Sequence, residues 1–134
     1  MSGMIHIYCG NGKGKTTAAV GLAVRGAGAG KKVLFSQFMK NGKSSELGIL
    51  DAVPGVTVFQ GYTVSCLYRN MTPEQRKEAE RKYSAMLETI LNISASADML
   101  VLDEIVSACN HHIVDETLLC DFIRNKKGEL AVVI

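Results

Sequence analysis

The sequence predicts an α/β domain in which a mostly parallel β-sheet is covered by helices on both faces. Short, uniformly apolar segments alternate with helical patterns along the chain, and strands of a covered parallel sheet are typically apolar along their whole length. The 134 residues, 47% of them hydrophobic and 21% charged, fit one globular domain with a single core. A single domain over residues 1–134 is therefore expected.

Five short segments are predicted to be β-strands. Each is rich in aliphatic, β-branched or aromatic residues and is bounded by glycine, proline or polar residues, which is typical of buried strands. The predicted strands are residues 4–9, 33–38, 56–60, 99–102 and 130–134. Because helical patterns separate them, the strands are expected to run parallel, joined by crossover helices.

Helical patterns occupy residues 16–27, 45–52, 115–125 and a long segment that starts at 72. The first of these is rich in alanine and glycine, small residues that let a helix lie close to a sheet. The long segment begins with Thr72, Pro73 and Gln75. A threonine N-cap, a proline at the first helical position and a glutamine three residues after the cap form a capping box.

A glycine-rich loop joins the first strand to the first helix and is the main functional motif. Strand, glycines and helix in this order direct backbone amides and a helix N-terminus toward one anion, as in a P-loop. Lys15 and Lys13 would bring positive charge to a polyphosphate, and the hydroxyl of Thr16 would ligate Mg²⁺. The loop residues expected to bind nucleotide are Gly10, Asn11, Gly12, Lys13, Gly14, Lys15, Thr16 and Thr17.

The spacing of this loop departs from the standard P-loop by one residue, because Cys9 stands where the first glycine belongs. A glycine-rich turn that binds no nucleotide is the alternative interpretation. Such a turn does not usually open into an alanine-rich helix that carries Lys-Thr-Thr in its first turn. The sequence therefore favours an ATP site on a P-loop NTPase fold, RecA-like in its mostly parallel sheet.

Two carboxylates, Asp103 and Glu104, follow the apolar strand at 99–102. The carboxyl ends of parallel strands meet at one edge of the sheet, so both should lie at the same edge as the glycine-rich loop. Carboxylates there can hold Mg²⁺ with Thr16, as in a Walker B element, or Glu104 could position a nucleophile. The alternative is that both residues cap the N-terminus of a helix.

Composition and charge narrow the functional classes. The formal net charge of +2, without a Lys/Arg stripe, argues against nucleic acid as a partner.

The four cysteines lie far apart without a C-x-x-C pair, so reduced thiols are expected. Adjacent His111 and His112 cannot easily chelate one ion and are expected to be exposed. No apolar stretch has the length of a membrane span, so a cytoplasmic protein is expected.

The ordered motifs resemble one known family. Residues 10–19 are similar to the shortened P-loop of the ATP:corrinoid adenosyltransferases. Residues 25–31 resemble the end of that family's first helix, 37–40 its Q-F-x-K strand end, 61–63 its G-F-T turn and 101–104 its V-L-D-E element. The resemblance runs in order along essentially the whole chain.

This resemblance implies an activity and its substrates. ATP would be bound in reverse relative to ordinary P-loop enzymes, and the Co(I) atom of cob(I)alamin or cobyrinic acid diamide would attack the 5′ carbon of the ribose and release triphosphate. Lys15, Lys13 and Glu104 would be catalytic, and Thr16, Asp103 and Glu104 would form the magnesium site. The further implied contacts are Arg25 and Lys40 for the nucleotide and Tyr62 as an aromatic wall for the corrin. A homodimer is expected, as is a reductase partner that delivers Co(I).

The chain departs from the family pattern at two places. Val64 stands where members commonly carry a tryptophan, and the family's segment beyond 130–134 has no counterpart. The chain is therefore expected to lack that C-terminal segment and to self-associate through an exposed sheet edge. Other functions stay open: a P-loop ATPase in which Glu104 orients water, a non-catalytic module that binds Mg-ATP, and a nucleoside kinase, although no zinc lasso is evident.

Overall fold

The computed structural model describes residues 5–6, 14–39, 45–62, 70–125 and 131–133. Within these ranges the chain forms a sheet of five parallel strands in the order β1-β5-β4-β2-β3. The strands are β1 (Ile5–His6), β2 (Val33–Gln37), β3 (Val56–Val58), β4 (Met99–Asp103) and β5 (Ala131–Val133). The predicted α/β class with a parallel sheet is confirmed.

Five α-helices lie in the described ranges, and none of them is long and apolar enough to cross a membrane. They are α1 (Lys15–Gly28), α2 (Ser45–Ala52), α3 (Pro73–Ile93), α4 (Ile105–Asn110) and α5 (Glu116–Asn125). Three match the predicted helices within one residue at both ends, and α3 begins within one residue of its predicted start. The six-residue α4 follows Asp103 and Glu104, where the sequence offered a helix only as the alternative interpretation. Cys109 and Cys120, which these helices carry, are free thiols, as predicted.

Strands β2 and β4 lie side by side, and every residue of both is buried. Their register pairs Val33 with Met99 at one end and Gln37 with Asp103 at the other. Both strands therefore reach the carboxyl edge of the sheet at the same level. A buried polar residue ends each strand, and these two residues are direct neighbours.

The two faces of the sheet are covered by different helices. Helices α1 and α2 pack on one face against residues such as Phe35 and Val101, and α3, α4 and α5 pack on the other against Leu34 and Leu100. This alternation follows from the two-residue period of a strand. The predicted arrangement of helices on both faces is confirmed, and it removes the central strands from water.

Helix α1 approaches the sheet closely at Gly26. A Cβ atom at this position would lie 3.0 Å from Cε of Met99 and 3.4 Å from a methyl group of Val33. Ala19 and Ala23, which precede it on the same helix, are also buried. The small residues of α1 therefore let the helix rest against the sheet, and they hold its N-terminal end near the carboxyl edge.

Helix α3 begins with the predicted capping box. The Gln75 amide donates to Oγ1 of Thr72 at 3.2 Å, and the Thr72 amide donates to Oε1 of Gln75 at 2.8 Å. Pro73 occupies the first helical position, where no amide hydrogen is required. The two reciprocal hydrogen bonds satisfy backbone donors that the helix itself cannot pair.

Replacing Thr72 with alanine should lower the free energy of unfolding by about 1 kcal/mol, because α3 loses its N-cap acceptor. Thr89→Ala in the same helix is the matched control. Thr89 is exposed and its hydroxyl donates to the Ala85 carbonyl at 3.1 Å, so this change should be neutral or stabilising, since alanine has the higher helix propensity. Urea unfolding measures both effects, and equal losses would contradict a stabilising role for the cap.

Candidate phosphate-binding site

Helix α1 begins at the carboxyl edge of the sheet with a glycine as its N-cap. Gly14 has φ 96° and ψ 3°, in the left-handed region that favours glycine. The Ala18 amide donates to the Gly14 carbonyl at 2.9 Å, which closes the first turn. No residue of that turn is acidic, so no carboxylate within it offsets the positive end of the helix dipole. An anion is therefore favoured at this end.

Thr16, in the first turn of α1, contacts Asp103 at the end of β4. Its hydroxyl lies 3.2 Å from Oδ1 and 3.1 Å from Oδ2 of the carboxylate, to which it donates. Asp103 is buried, with 4% of its surface exposed. A buried carboxylate needs hydrogen-bond donors if it is to stay charged. The Thr16 hydroxyl therefore supplies the Asp103 carboxylate with a hydrogen-bond donor. The same contact attaches the start of α1 to the end of β4.

Glu104 follows β4 in a left-handed backbone conformation, with φ 67° and ψ 15°. This conformation costs a residue other than glycine about 1–2 kcal/mol. Helix α4 begins directly after Glu104, but the Glu104 side chain does not hydrogen-bond to the amides of that helix. Glu104 instead lines a depression of about 220 Å³ whose other lining residues are Gly14, Lys15, Thr16 and Thr17. Five of the predicted site residues thus border one space.

The oxygen atoms at this site fit a magnesium ion. Thr16 and Asp103 bring a hydroxyl and a carboxylate together, and Glu104 adds a second carboxylate at the depression. Magnesium prefers such oxygens and commonly uses one or two protein carboxylates together with phosphates. Across the described ranges, no three His, Cys, Asp or Glu side chains form an all-protein metal site. The donors therefore suit magnesium that arrives with a nucleotide.

The other predicted site residues lie farther away or outside the described ranges. Arg25 is exposed in the last turn of α1, ten residues after Lys15 and so about 15 Å along the helix axis. Its role in nucleotide binding stays a prediction. His111 and His112 are exposed, as predicted. The residues outside the described ranges are Gly10, Asn11, Gly12, Lys13 and Lys40.

An aromatic cluster near the ends of β2 and β3 contains Tyr62. The half-buried Tyr62 ring meets the ring of Tyr83 edge-on, with 4.8 Å between centroids. Lys82 Nζ lies 5.3 Å from the centroid of Tyr62, and Tyr83 packs against Phe38 at 5.7 Å. Burial raises the pKa of Tyr83 to about 12, so its phenol stays neutral near pH 7. Tyr83 is a buried core residue, and its ring packs edge-on against the ring of Tyr62.

Comparison with known proteins agrees with this site. The whole chain, residues 1–134, matches the family described as ATP:corrinoid adenosyltransferase BtuR/CobO/CobP. The chain belongs to this family. It is 36% identical over 104 residues to the corrinoid adenosyltransferase of Escherichia coli (strain K12), a match that covers 77% of this chain and 52% of that protein. It is 30% identical over 131 residues to the corrinoid adenosyltransferase CobA of Salmonella typhimurium (strain LT2), covering 87% of this chain and 66% of that protein.

The chain thus spans about half to two thirds of the length of these relatives. The resemblance inferred from the P-loop and the Q-F-x-K strand end is confirmed at the level of the family. Within this adenosyltransferase family member, the described ranges contain the start of α1, the end of β4 and the Tyr62 turn.

Gln37 and Gln60 form hydrogen bonds between the elements of the site. The sequence analysis did not assign either glutamine to the site. Nε2 of Gln37 donates to Glu46 at 2.6 Å and to Asp103 at 3.2 Å. Nε2 of Gln60 donates to the backbone carbonyls of Gln37 at 3.1 Å and Tyr62 at 3.2 Å. The available signal for Gln37 was a polar residue at the end of a mainly apolar strand, within the Q-F-x-K motif.

The left-handed backbone at Glu104 generates a stability prediction. Glu104→Ala and Glu104→Gly both remove the carboxylate, but only glycine relieves the backbone strain. The glycine variant should have a free energy of unfolding about 0.5–1 kcal/mol above that of the alanine variant, because the strain outweighs the extra entropy of glycine in the unfolded chain.

Ser107, inside α4, is the matched control. There glycine should be less stable than alanine by roughly 1 kcal/mol, since the backbone is helical. Chemical denaturation of the four variants measures both differences. A glycine variant at position 104 that is less stable than its alanine counterpart would contradict the strain assigned to this residue.

Proposed function

We propose that this chain transfers the 5′-deoxyadenosyl group of ATP to the Co(I) atom of a corrinoid, as a single nucleotide-binding domain in adenosylcobalamin biosynthesis. Membership of the ATP:corrinoid adenosyltransferase family supports this activity. The structural observation that carries the proposal is the contact between Thr16 and Asp103. It assembles the anion-binding start of α1 and the acidic end of β4 at one edge of the sheet.

The start of α1 would hold the triphosphate of ATP. Backbone amides after Gly14 and the helix dipole favour negative charge, and Lys15 brings a full positive charge to the depression. Thr16, with Asp103 or Glu104, would hold Mg²⁺, which when bound neutralises part of the phosphate charge. The further nucleotide contacts that we propose are Lys13, Lys40 and Arg25.

In the proposed transfer, the electron pair of Co(I) forms a bond to the 5′ carbon of the ribose. The bond between that carbon and the triphosphate oxygen breaks, and its electron pair leaves with the triphosphate. Because cobalt is the nucleophile, no serine, cysteine or histidine is required. The protein's task is to hold the carbon in line and to stabilise charge on the leaving group, and Lys15 and the α1 amides are suited to it.

The corrin would lie against the aromatic cluster. Tyr62 follows β3 at the carboxyl edge of the sheet, and its ring is supported by Tyr83. We propose Tyr62 as an aromatic wall for the apolar face of the ring, in either cob(I)alamin or cobyrinic acid diamide. A homodimer, a reductase that delivers Co(I) and a cytoplasmic location complete the proposal.

Hydrolysis of ATP is a second candidate function, because Glu104 borders the same depression as Lys15 and Thr16. In a P-loop ATPase, a residue so placed can orient water toward the γ-phosphate, and the products are ADP and phosphate. Adenosyl transfer instead releases intact triphosphate. The inorganic product therefore distinguishes the two reactions, and ATP binding without any product would indicate a non-catalytic module.

The decisive assay combines the protein, Mg-ATP and a chemically reduced corrinoid, and it follows the cobalt–carbon bond by absorbance and the inorganic product by chromatography. The unchanged chain should form the bond and release triphosphate. Lys15→Ala should slow transfer roughly 100-fold or more, because the leaving group loses a cation that lines its proposed binding site.

Lys77→Ala on the exposed surface of α3 is the matched control and should retain full activity. Circular dichroism of both variants checks that the fold is kept. ADP as the main product, or an unaltered rate in Lys15→Ala, would contradict the proposed function.

A further inference from the structure

We propose that Gln37 is a positioning residue of the nucleotide site, which holds the Asp103 carboxylate in the orientation that receives the Thr16 hydroxyl. Gln37 acts through Asp103 and does not itself line the depression beside α1. The inference rests on the proposed function, because it concerns the magnesium and nucleotide that this function requires.

The strand register places Gln37 next to Asp103. The two residues are paired across β2 and β4 at the carboxyl edge, and Gln37 is fully buried. The Gln37 amide nitrogen lies 3.2 Å from Oδ2 of Asp103, the same oxygen that lies 3.1 Å from the Thr16 hydroxyl. Two donors therefore converge on one carboxylate oxygen from β2 and α1, which leaves the carboxylate little freedom to rotate.

Charge explains why an amide is suited to this position. Glu46 on α2 and Asp103 on β4 both accept from Nε2 of Gln37, at 2.6 Å and 3.2 Å. The two hydrogens of one neutral NH₂ group can serve both carboxylates, whereas an acidic residue would add a third negative charge and an apolar residue would supply no donor. One neutral amide thus links two acidic residues.

The carbonyl oxygen of the Gln37 side chain shows what the orientation of this amide group costs. Oε1 of Gln37 is buried and has no hydrogen-bond partner within the described ranges. An unpaired buried carbonyl oxygen costs about 1–3 kcal/mol. The reverse orientation of the amide would direct Oε1 at two carboxylates, so the structure retains the arrangement that keeps both donors on the acidic residues.

The inference predicts that the magnesium requirement for ATP binding depends on residue 37 through Asp103 and not through Glu46. Gln37→Met keeps the length and approximate volume of the side chain but removes both donors. It should raise the Mg²⁺ concentration for half-maximal ATP binding roughly 10-fold or more, the loss typical of residues that orient metal ligands. At saturating Mg²⁺ the affinity for ATP should return to that of the unchanged chain.

Three matched variants separate positioning from general destabilisation. Glu46→Met removes the other partner of Gln37 and should leave the magnesium requirement unchanged, whereas the double variant Gln37→Met/Glu46→Met should require as much Mg²⁺ as Gln37→Met alone. Gln75→Met makes the same substitution in the capping box of α3. It should lower the unfolding temperature without changing the magnesium requirement.

The measurement is calorimetric titration of ATP into each protein over a series of Mg²⁺ concentrations, with the unfolding temperature of each protein determined without ligand. A magnesium requirement in Gln37→Met equal to that of the unchanged chain would overturn the inference. An equal increase in Glu46→Met would overturn it too, because the effect would then run through α2. If the unchanged chain bound no ATP, this result would contradict the proposed function. The inference rests on that function and would be overturned as well.

Discussion

The hydrogen bond from Thr16 to Asp103 is the contact on which the site depends. It joins residues 87 positions apart, at distances of 3.1 and 3.2 Å. Parallel strands end at a common edge, and the Thr16 hydroxyl attaches the start of α1 to that edge at Asp103. The first residues of α1 and Glu104 then border one depression, and Asp103 is hydrogen-bonded to Thr16 beside it. Each of these groups alone is common in proteins, and their combination makes the edge suited to a polyphosphate.

The site concentrates features that a fold selected only for stability would avoid. Asp103 and Gln37 are polar and buried, one oxygen of Gln37 has no partner in the described part of the chain, and Glu104 has a left-handed backbone. Such costs are tolerated where the surrounding structure is firmly packed. Here β2 and β4 are buried along their whole length between two layers of helices. The buried centre of the sheet therefore supports the strained edge that carries the candidate site.

Much of this arrangement could be predicted from sequence because its signals are local. Apolar segments separated by helical patterns leave few alternatives to a covered parallel sheet, and the loop and strand end identified Thr16, Asp103 and Glu104 as site residues. Helix α4 was only an alternative interpretation, because it is six residues long and starts after a left-handed residue without a side-chain cap. The link from Gln37 to Asp103 also escaped, because it depends on the register of two strands whose paired residues are 66 positions apart.

A double-mutant cycle tests the central contact most directly. The affinity for ATP at a fixed, limiting Mg²⁺ concentration would be measured for the unchanged chain, Thr16→Val, Asp103→Asn and the combined variant. If the two side chains act as one unit, the combined variant should bind no more weakly than the weaker single variant, and the coupling energy should fall within roughly 0.5–3 kcal/mol. Losses that simply add would contradict the account, because Thr16 and Asp103 would then contribute independently.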